Sequence, residues 1–183
     1  AAAAAAADLI LDLHLVDGRL RRVSRDGSVG TAQGCADDYG NLAEGLLTLA
    51  QVTGEARWLL AAGTLLDTAV TLFGDAGNEA PGTFYDTPAI ADNADERLLP
   101  TRPHSSADNA EPSGQSSLAM ALLGFGALAG STSHVELADA ALAVAGAVAE
   151  RDPRFAGWTL AGAEARLAGP LQVAIVGTGA DAE

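Results

Sequence analysis

Residues 46–73 read LLTLAQVTGEARWLLAAGTLLDTAVTLF, and this stretch decides the fold. Trp58, Ala62, Leu65, Leu66, Ala69, Val70 and Phe73 recur in steps of three and four, so they line one face of a helix. Upstream, Tyr39, Leu42, Leu46, Leu49 and Ala50 make a second stripe on a helix that starts at Asp38. Between them Thr53-Gly54 is a stop, because glycine readily takes the left-handed conformation that closes a helix. The unit is a helix, a tight turn and a second helix.

The same unit recurs. Leu122-Leu123 through Gly130 resembles Leu46-Leu47 through Gly54, and the helices from Trp58 and from Glu136 align behind them. Ser113 after Pro112 is an N-cap, and Leu118, Leu122, Phe125 and Ala129 form the stripe of its helix. Ser133-His134-Val135-Glu136 reads as a capping box ahead of Leu137, Ala141, Leu142, Ala145 and Val148. Asp152-Pro153 opens a last helix whose Phe155 and Trp158 are expected to face the core. Hairpins of this kind cannot bury their apolar faces alone and stack side by side. Gly45, Gly63, Gly124, Gly126 and Gly146 lie inside the helices, each costing roughly 1 kcal/mol against alanine. Close backbone packing is expected to offset that cost.

The flanks are less regular. Leu9, Ile10, Leu13 and Val16 have helical spacing, with Asp17-Gly18 as the stop. The polar, glycine-rich stretch 19–34 reads as a loop. Residues 74–112 break the helical period, and Thr83-Phe84-Tyr85-Asp86 reads as a short extended piece. A segment that long is a binding loop or a solvated connector. Leu171 to Val176 reads as a strand. Ala1 to Ala7 is set aside as a tag or as residues without assigned identity, the helical domain is placed at 8–170, and 171–183 is read as a strand opening a truncated segment.

Composition narrows the class. Hydrophobic residues make up 49% of the 183 but aromatics only 4%, so Ala, Leu and Val must build the core. Acids number 24 against 10 basic residues, all of them Arg, for a net charge of −14. Such a chain repels nucleic acid and anionic membrane surfaces, and both are excluded as partners. No run reaches the ~18 apolar residues of a membrane span. With Cys35 alone, no internal disulfide or cysteine-based zinc site can form, which suits a reducing, cytoplasmic setting. His14, His104 and His134 are far apart in sequence and nothing resembles HExxH, so no metal site is expected. Gly177-Thr178-Gly179 with Ala182 fits GxGxxA but lacks the βαβ context a dinucleotide needs, and no cofactor is expected.

Several ordered segments carry a family resemblance. Arg19-Leu20-Arg21-Arg22 with Arg25-Asp26-Gly27 is similar to a basic loop, and Asp37-Asp38-Tyr39 with Glu44-Gly45-Leu46-Leu47 to "EDYA…EGLL". Phe73, Asp75 and Phe84-Tyr85-Asp86-Thr87 resemble "F-x-D…GFFDT". Arg102-Pro103, Asp108-Asn109-Ala110 and Pro112-Ser113-Gly114 resemble "RPKD…DNATPSGN", and Val173 to Gly177 resembles "VVIVG". Together they resemble the C-terminal helical domain of the thioredoxin-domain-containing YyaL-like proteins, which include the spermatogenesis-associated thioredoxin-like proteins. His104 stands where that family has Lys, Gln115 where it has Asn, and Asp37 where it has Glu.

The resemblance implies an all-α fold, part of an (α/α)6 toroid like that of the six-hairpin glycosidases and the N-acylglucosamine 2-epimerase group. It implies that further hairpins and a thioredoxin-like domain belong to the full-length protein, the latter as a partner of this domain. In such toroids the pocket lies where loops converge at one end. The expected catalytic groups are then Asp38, Asp108 and His104, with Tyr39, Phe84, Tyr85, Arg102, Glu111 and Ser113 binding a carbohydrate. Paired acids move protons in sugar chemistry and aromatic faces stack on pyranose rings. Each group also has a plainer reading. Asp38 and Ser113 are ordinary helix caps, Tyr39 and Phe84 are core residues, and Arg102 pairs with a nearby loop acid. The implied function is a carbohydrate-active domain, an epimerase, isomerase or glycosidase-like enzyme. The alternative is a non-catalytic scaffold or binding module attached to a redox domain.

Overall fold

The computed structural model describes residues 1–75, 77, 80–89 and 101–174. Six α-helices run over them: α1 (Ala2–Leu9), α2 (Ala36–Thr53), α3 (Ala56–Phe73), α4 (Gly114–Ala129), α5 (Thr132–Arg151) and α6 (Gly157–Ala168). The all-α class therefore holds. Both tight-turn hairpins form. Gly54 closes α2 at φ 70° and Gly130 closes α4 at φ 67°, so both stops are left-handed as their glycines predict.

α2 packs against α3 and α4, and α4 also packs against α5 and α6. The row α2, α4, α6 is parallel. A Cβ built on Gly114 would meet the Ala36 Cβ at 2.8 Å, and one on Gly124 would meet Leu47 at 3.4 Å, so the two helices start together and stay in step. For α6, Asp108 bonds both Ser113 at the start of α4 and Trp158 at the start of α6, while Gly162 lies against Met120 further along. The first turns of α2, α4 and α6 thus share one end of the bundle, and residues 38–39 and 108–113 fall at that same end.

Leucine and alanine make the core. Leu46, Leu66, Leu118 and Leu122 are wholly buried, with Ala43, Ala62, Ala69, Ala119 and Ala141 between them. Burying each such leucine contributes about 1.5–3 kcal/mol. Trp58, Tyr39, Phe73 and Phe84 fill the wider gaps. α3 is long and apolar enough to cross a membrane by length and composition alone, with a mean hydropathy of 1.2 over its 18 residues. Here its apolar face lies in the core, and Thr64, Thr68 and Thr71 hydrogen-bond back to carbonyls on its outer face.

The structure corrects several local expectations. The alanine start is helical and buries Ala7, and the helix continues through a π-helical turn, Ile10–His14. Asp17-Gly18 is not a helix stop. It turns a hairpin between β1 (Leu15–Val16) and β2 (Arg19–Leu20), and Asp26-Gly27 turns a second between β3 (Ser24–Arg25) and β4 (Ser28–Val29). In both turns Asp and Gly have positive φ, the geometry that matches strand twist and favours Asp-Gly. So 19–34 is not simply a loop.

Ser131 holds the N-cap position of α5 without a side-chain cap hydrogen bond, and Ser133 lies inside the helix, so no Ser133–Glu136 box opens it. Asp152-Pro153 begins a 3-10 turn, Pro153–Phe155, before α6, and Trp158 is 41% exposed instead of facing the core. Residues 171–174 form no strand and are exposed; 175–183, with the rest of that expected strand and the GxGxxA pattern, lie outside the described residues. Gly63 and Gly126 sit against Phe125 and Val135, as close packing predicts, but Gly45 and Gly146 have nothing near them.

Candidate functional site

α2 begins with an acidic, tightly bonded turn. Cys35 is its N-cap in a capping box, with the Cys35 amide donating to Asp38 Oδ2 at 2.8 Å. Arg22 reaches the same carboxylate through Nε at 3.0 Å and the Cys35 sulfur through Nη1 at 3.6 Å. Burial pushes the Asp38 carboxyl up, against the downward pull of the Cys35 amide and Arg22. Burial likewise raises the Cys35 thiol, so it is not a ready thiolate near neutrality. Cys35 Sγ and the Asp37 and Asp38 oxygens lie within 4.8 Å of one another, and the Arg22 guanidinium already supplies that cluster's counter-charge.

Asp38 lines a cavity of about 440 Å³ between the Ile10–His14 turn, β2 and α2. Its carboxyl is raised, so the folded state holds that proton more tightly than the unfolded chain. Its contribution to stability is complete below the ordinary carboxylate value and is lost as pH rises through the folded-state value. Asp139 is the reverse: the Arg166 guanidinium bonds it at 2.6 Å and lowers it, so its contribution is present above the ordinary value and fades as pH falls. A carboxyl-carbon NMR titration should find Asp38 titrating above 3.8 and Asp139 below it. Coincident midpoints would contradict the burial of Asp38 and the Arg166–Asp139 pairing.

The second acid has a different surrounding. Asp108 is only 2% exposed. Its Oδ1 accepts from the Ser113 amide at 3.0 Å, from the Ser113 hydroxyl at 3.2 Å and from the Ser116 hydroxyl. Its Oδ2 accepts from the amides of Trp158 and Thr159 at 2.9 and 3.2 Å. The N-cap of α6 is Ala156, which has no side-chain oxygen, so Asp108 caps that helix from 50 residues away. It also braces Ser113, which caps α4 by accepting from the Ser116 amide, as expected from sequence.

The remaining candidates are also held in structural contacts. Tyr39 is buried, stacked edge-on against Phe73, and its hydroxyl accepts from the Leu20 amide at 2.8 Å. Phe84 is buried and its amide donates to Gln115 Oε1. Arg102 binds carbonyls, with Asp75 as an electrostatic neighbour: Nη2 donates to Leu72 at 2.9 Å and to Thr87 at 2.7 Å, tying the last turn of α3 to the loop. Its guanidinium lies 4.1 Å over the Tyr85 ring, and burial lowers its pKa from the ordinary arginine value. Arg102→Leu should cost about 1.5–3 kcal/mol in urea unfolding, the worth of hydrogen bonds from a charged donor. A change under ~0.5 kcal/mol would mean that water serves those carbonyls equally well.

His104 is exposed, edge-on to Tyr85, with Nε2 3.4 Å from Gln115 Oε1; Glu111 is exposed. The nine candidates therefore gather at one end of the bundle; among the cavities lined by described residues, Asp38 lines the 440 Å³ space.

Sequence reasoning missed Gln115, noted only as a departure from a motif. It is fully buried and donates to Gly82 and Ala141 carbonyls at 2.7 and 3.0 Å while accepting from Phe84. That pins the loop to α4 and α5. His134, inside the expected capping box, is mostly covered: it packs on Phe125 and reaches Ser131 and Asp67.

No protein-family model matches this chain, and no curated protein matches it.

Proposed function

We propose that this chain is a non-catalytic helical scaffold, a run of hairpins from an α/α toroid in a thioredoxin-domain-containing protein of the YyaL-like kind. The single observation behind this reading is the internal use of expected site residues, one catalytic and two substrate-binding. Asp108 gives both carboxylate oxygens to five donors, Arg102 serves backbone carbonyls, and Tyr39 serves the Leu20 amide. Such groups hold a framework and leave little to offer a substrate. The parallel row of α2, α4 and α6 supports the toroid part of the reading, since stacked hairpins put equivalent helices in one layer. A cytoplasmic setting and a partnership with the redox domain belong to the same proposal.

One observation favours the second reading, a carbohydrate-active epimerase, isomerase or glycosidase-like domain. Asp38 lines a cavity and its carboxyl is raised, as a proton-transferring acid requires. A panel of neutral mono- and disaccharides separates the two. The scaffold predicts no thermal stabilisation and no turnover. A neutral sugar that raises the melting temperature by several degrees, with the gain abolished in Asp38→Asn, would overturn it.

A further inference from the structure

Charge is distributed unevenly in this acidic chain. Four of its ten arginines, Arg19, Arg21, Arg22 and Arg25, fall within seven residues that contain no acid. The chain carries a net charge of −14, so a run of four arginines stands out; Arg22 is paired with Asp38 at 3.0 Å and Arg25 with Asp26 at 3.5 Å, and clustered guanidiniums still attract oppositely charged ligands. Two of these arginines, Arg21 and Arg22, line the 440 Å³ cavity beside α2.

The backbone holds both in place. The Arg21 amide donates to the His14 carbonyl at 2.9 Å, and the Arg21 carbonyl meets His14 Nδ1 at 2.7 Å. Its Nη1 donates to the Thr31 carbonyl at 2.9 Å. A guanidinium has five N–H donors, so that bond leaves most of the fork for a ligand. The Arg22 amide donates to the Ala32 carbonyl at 2.9 Å, and its side chain is aimed at the first turn of α2 by Asp38 and Cys35. Ile10, Leu20 and Leu42 supply the apolar wall. Asn41, one turn beyond Asp38 on the same helix, is exposed at the rim and brings an amide that both donates and accepts.

We propose that this cavity binds a small hydroxylated molecule bearing an oxyanion, with Arg21 and Arg22 taking the phosphate or carboxylate and Asp38 and Asn41 taking hydroxyls. The proposal goes beyond the scaffold reading and does not need it. A bare cation is disfavoured by two guanidiniums in the wall. A neutral sugar would leave the arginine fork without its matching acceptor, since paired N–H groups fit a planar or tetrahedral oxyanion.

The test is calorimetric titration of the 183-residue chain with glucose 6-phosphate, inorganic phosphate and glucose. Glucose 6-phosphate should bind saturably, phosphate more weakly at the same site, and glucose not at all. Arg21→Gln and Arg22→Gln should each weaken glucose 6-phosphate at least tenfold, and raised salt should weaken it in the wild type. Amide shifts of Gly34 and Asn41 in the wild-type chain give a readout that needs no variant to fold. No saturable heat with either anion, glucose binding as tightly as its phosphate, binding unchanged in both variants, or shifts confined to other residues would each overturn the proposal.

Discussion

Asp108→Ala is expected to lower the unfolding free energy by about 3–5 kcal/mol. The substitution strips an acceptor from the amides of Ser113, Trp158 and Thr159 at once. A buried donor left unpaired costs about 1–3 kcal/mol, and water let in at the site recovers part of the sum. Helix capping adds to the loss, because α6 has no cap of its own. Asp108→Asn should fall between: it keeps one acceptor oxygen but turns an NH2 group toward other donors. Urea unfolding measures the loss, and amide exchange should show residues 157–160 opening first. A cost under about 1 kcal/mol for alanine would show that Asp108 does not join α4 to α6.

Two glycine replacements five residues apart on α2 should have opposite signs. A Cβ on Gly40 would come within 2.7 Å of the Ser117 carbonyl carbon and 2.8 Å of the Leu118 amide nitrogen. These are backbone atoms of α4 and cannot swing aside, so α2 and α4 must separate. Gly40→Ala is expected to cost about 1–3 kcal/mol, the usual range for overpacking a rigid contact. At Gly45 nothing lies within 4 Å, and alanine removes only the backbone entropy that glycine loses in a helix. Gly45→Ala should therefore stabilise by about 0.5–1 kcal/mol. Thermal unfolding of both variants decides the matter; a Gly40→Ala protein as stable as wild type would mean the helices approach less closely than the 36–114 and 40–117 contacts indicate.

Much of the candidate site was legible only as residue types. Ser113 and Asp38 announced themselves as caps because a cap acts within three residues, and both act so. Arg102 and Asp108 gave no comparable local sign. Their partners are 30 and 50 residues away, and nothing near them in the chain names those partners. The Asp-Gly turns at 17–18 and 26–27 were legible in principle, since Asp-Gly favours the hairpin turn found there, but the polar residues around them masked such short strands.

Residue order alone determined the helical hairpins at 38–73 and 113–151, their glycine stops and an alanine–leucine core, because period, stop and cap depend on neighbours a few positions apart. Tertiary structure alone decided that α2, α4 and α6 run parallel with their first turns together, and that Asp108, Arg102 and Gln115 spend their polar groups joining those elements. The physical reason is that a buried polar group must find a partner wherever packing brings one, and packing is settled by whole helix faces meeting rather than by adjacent residues.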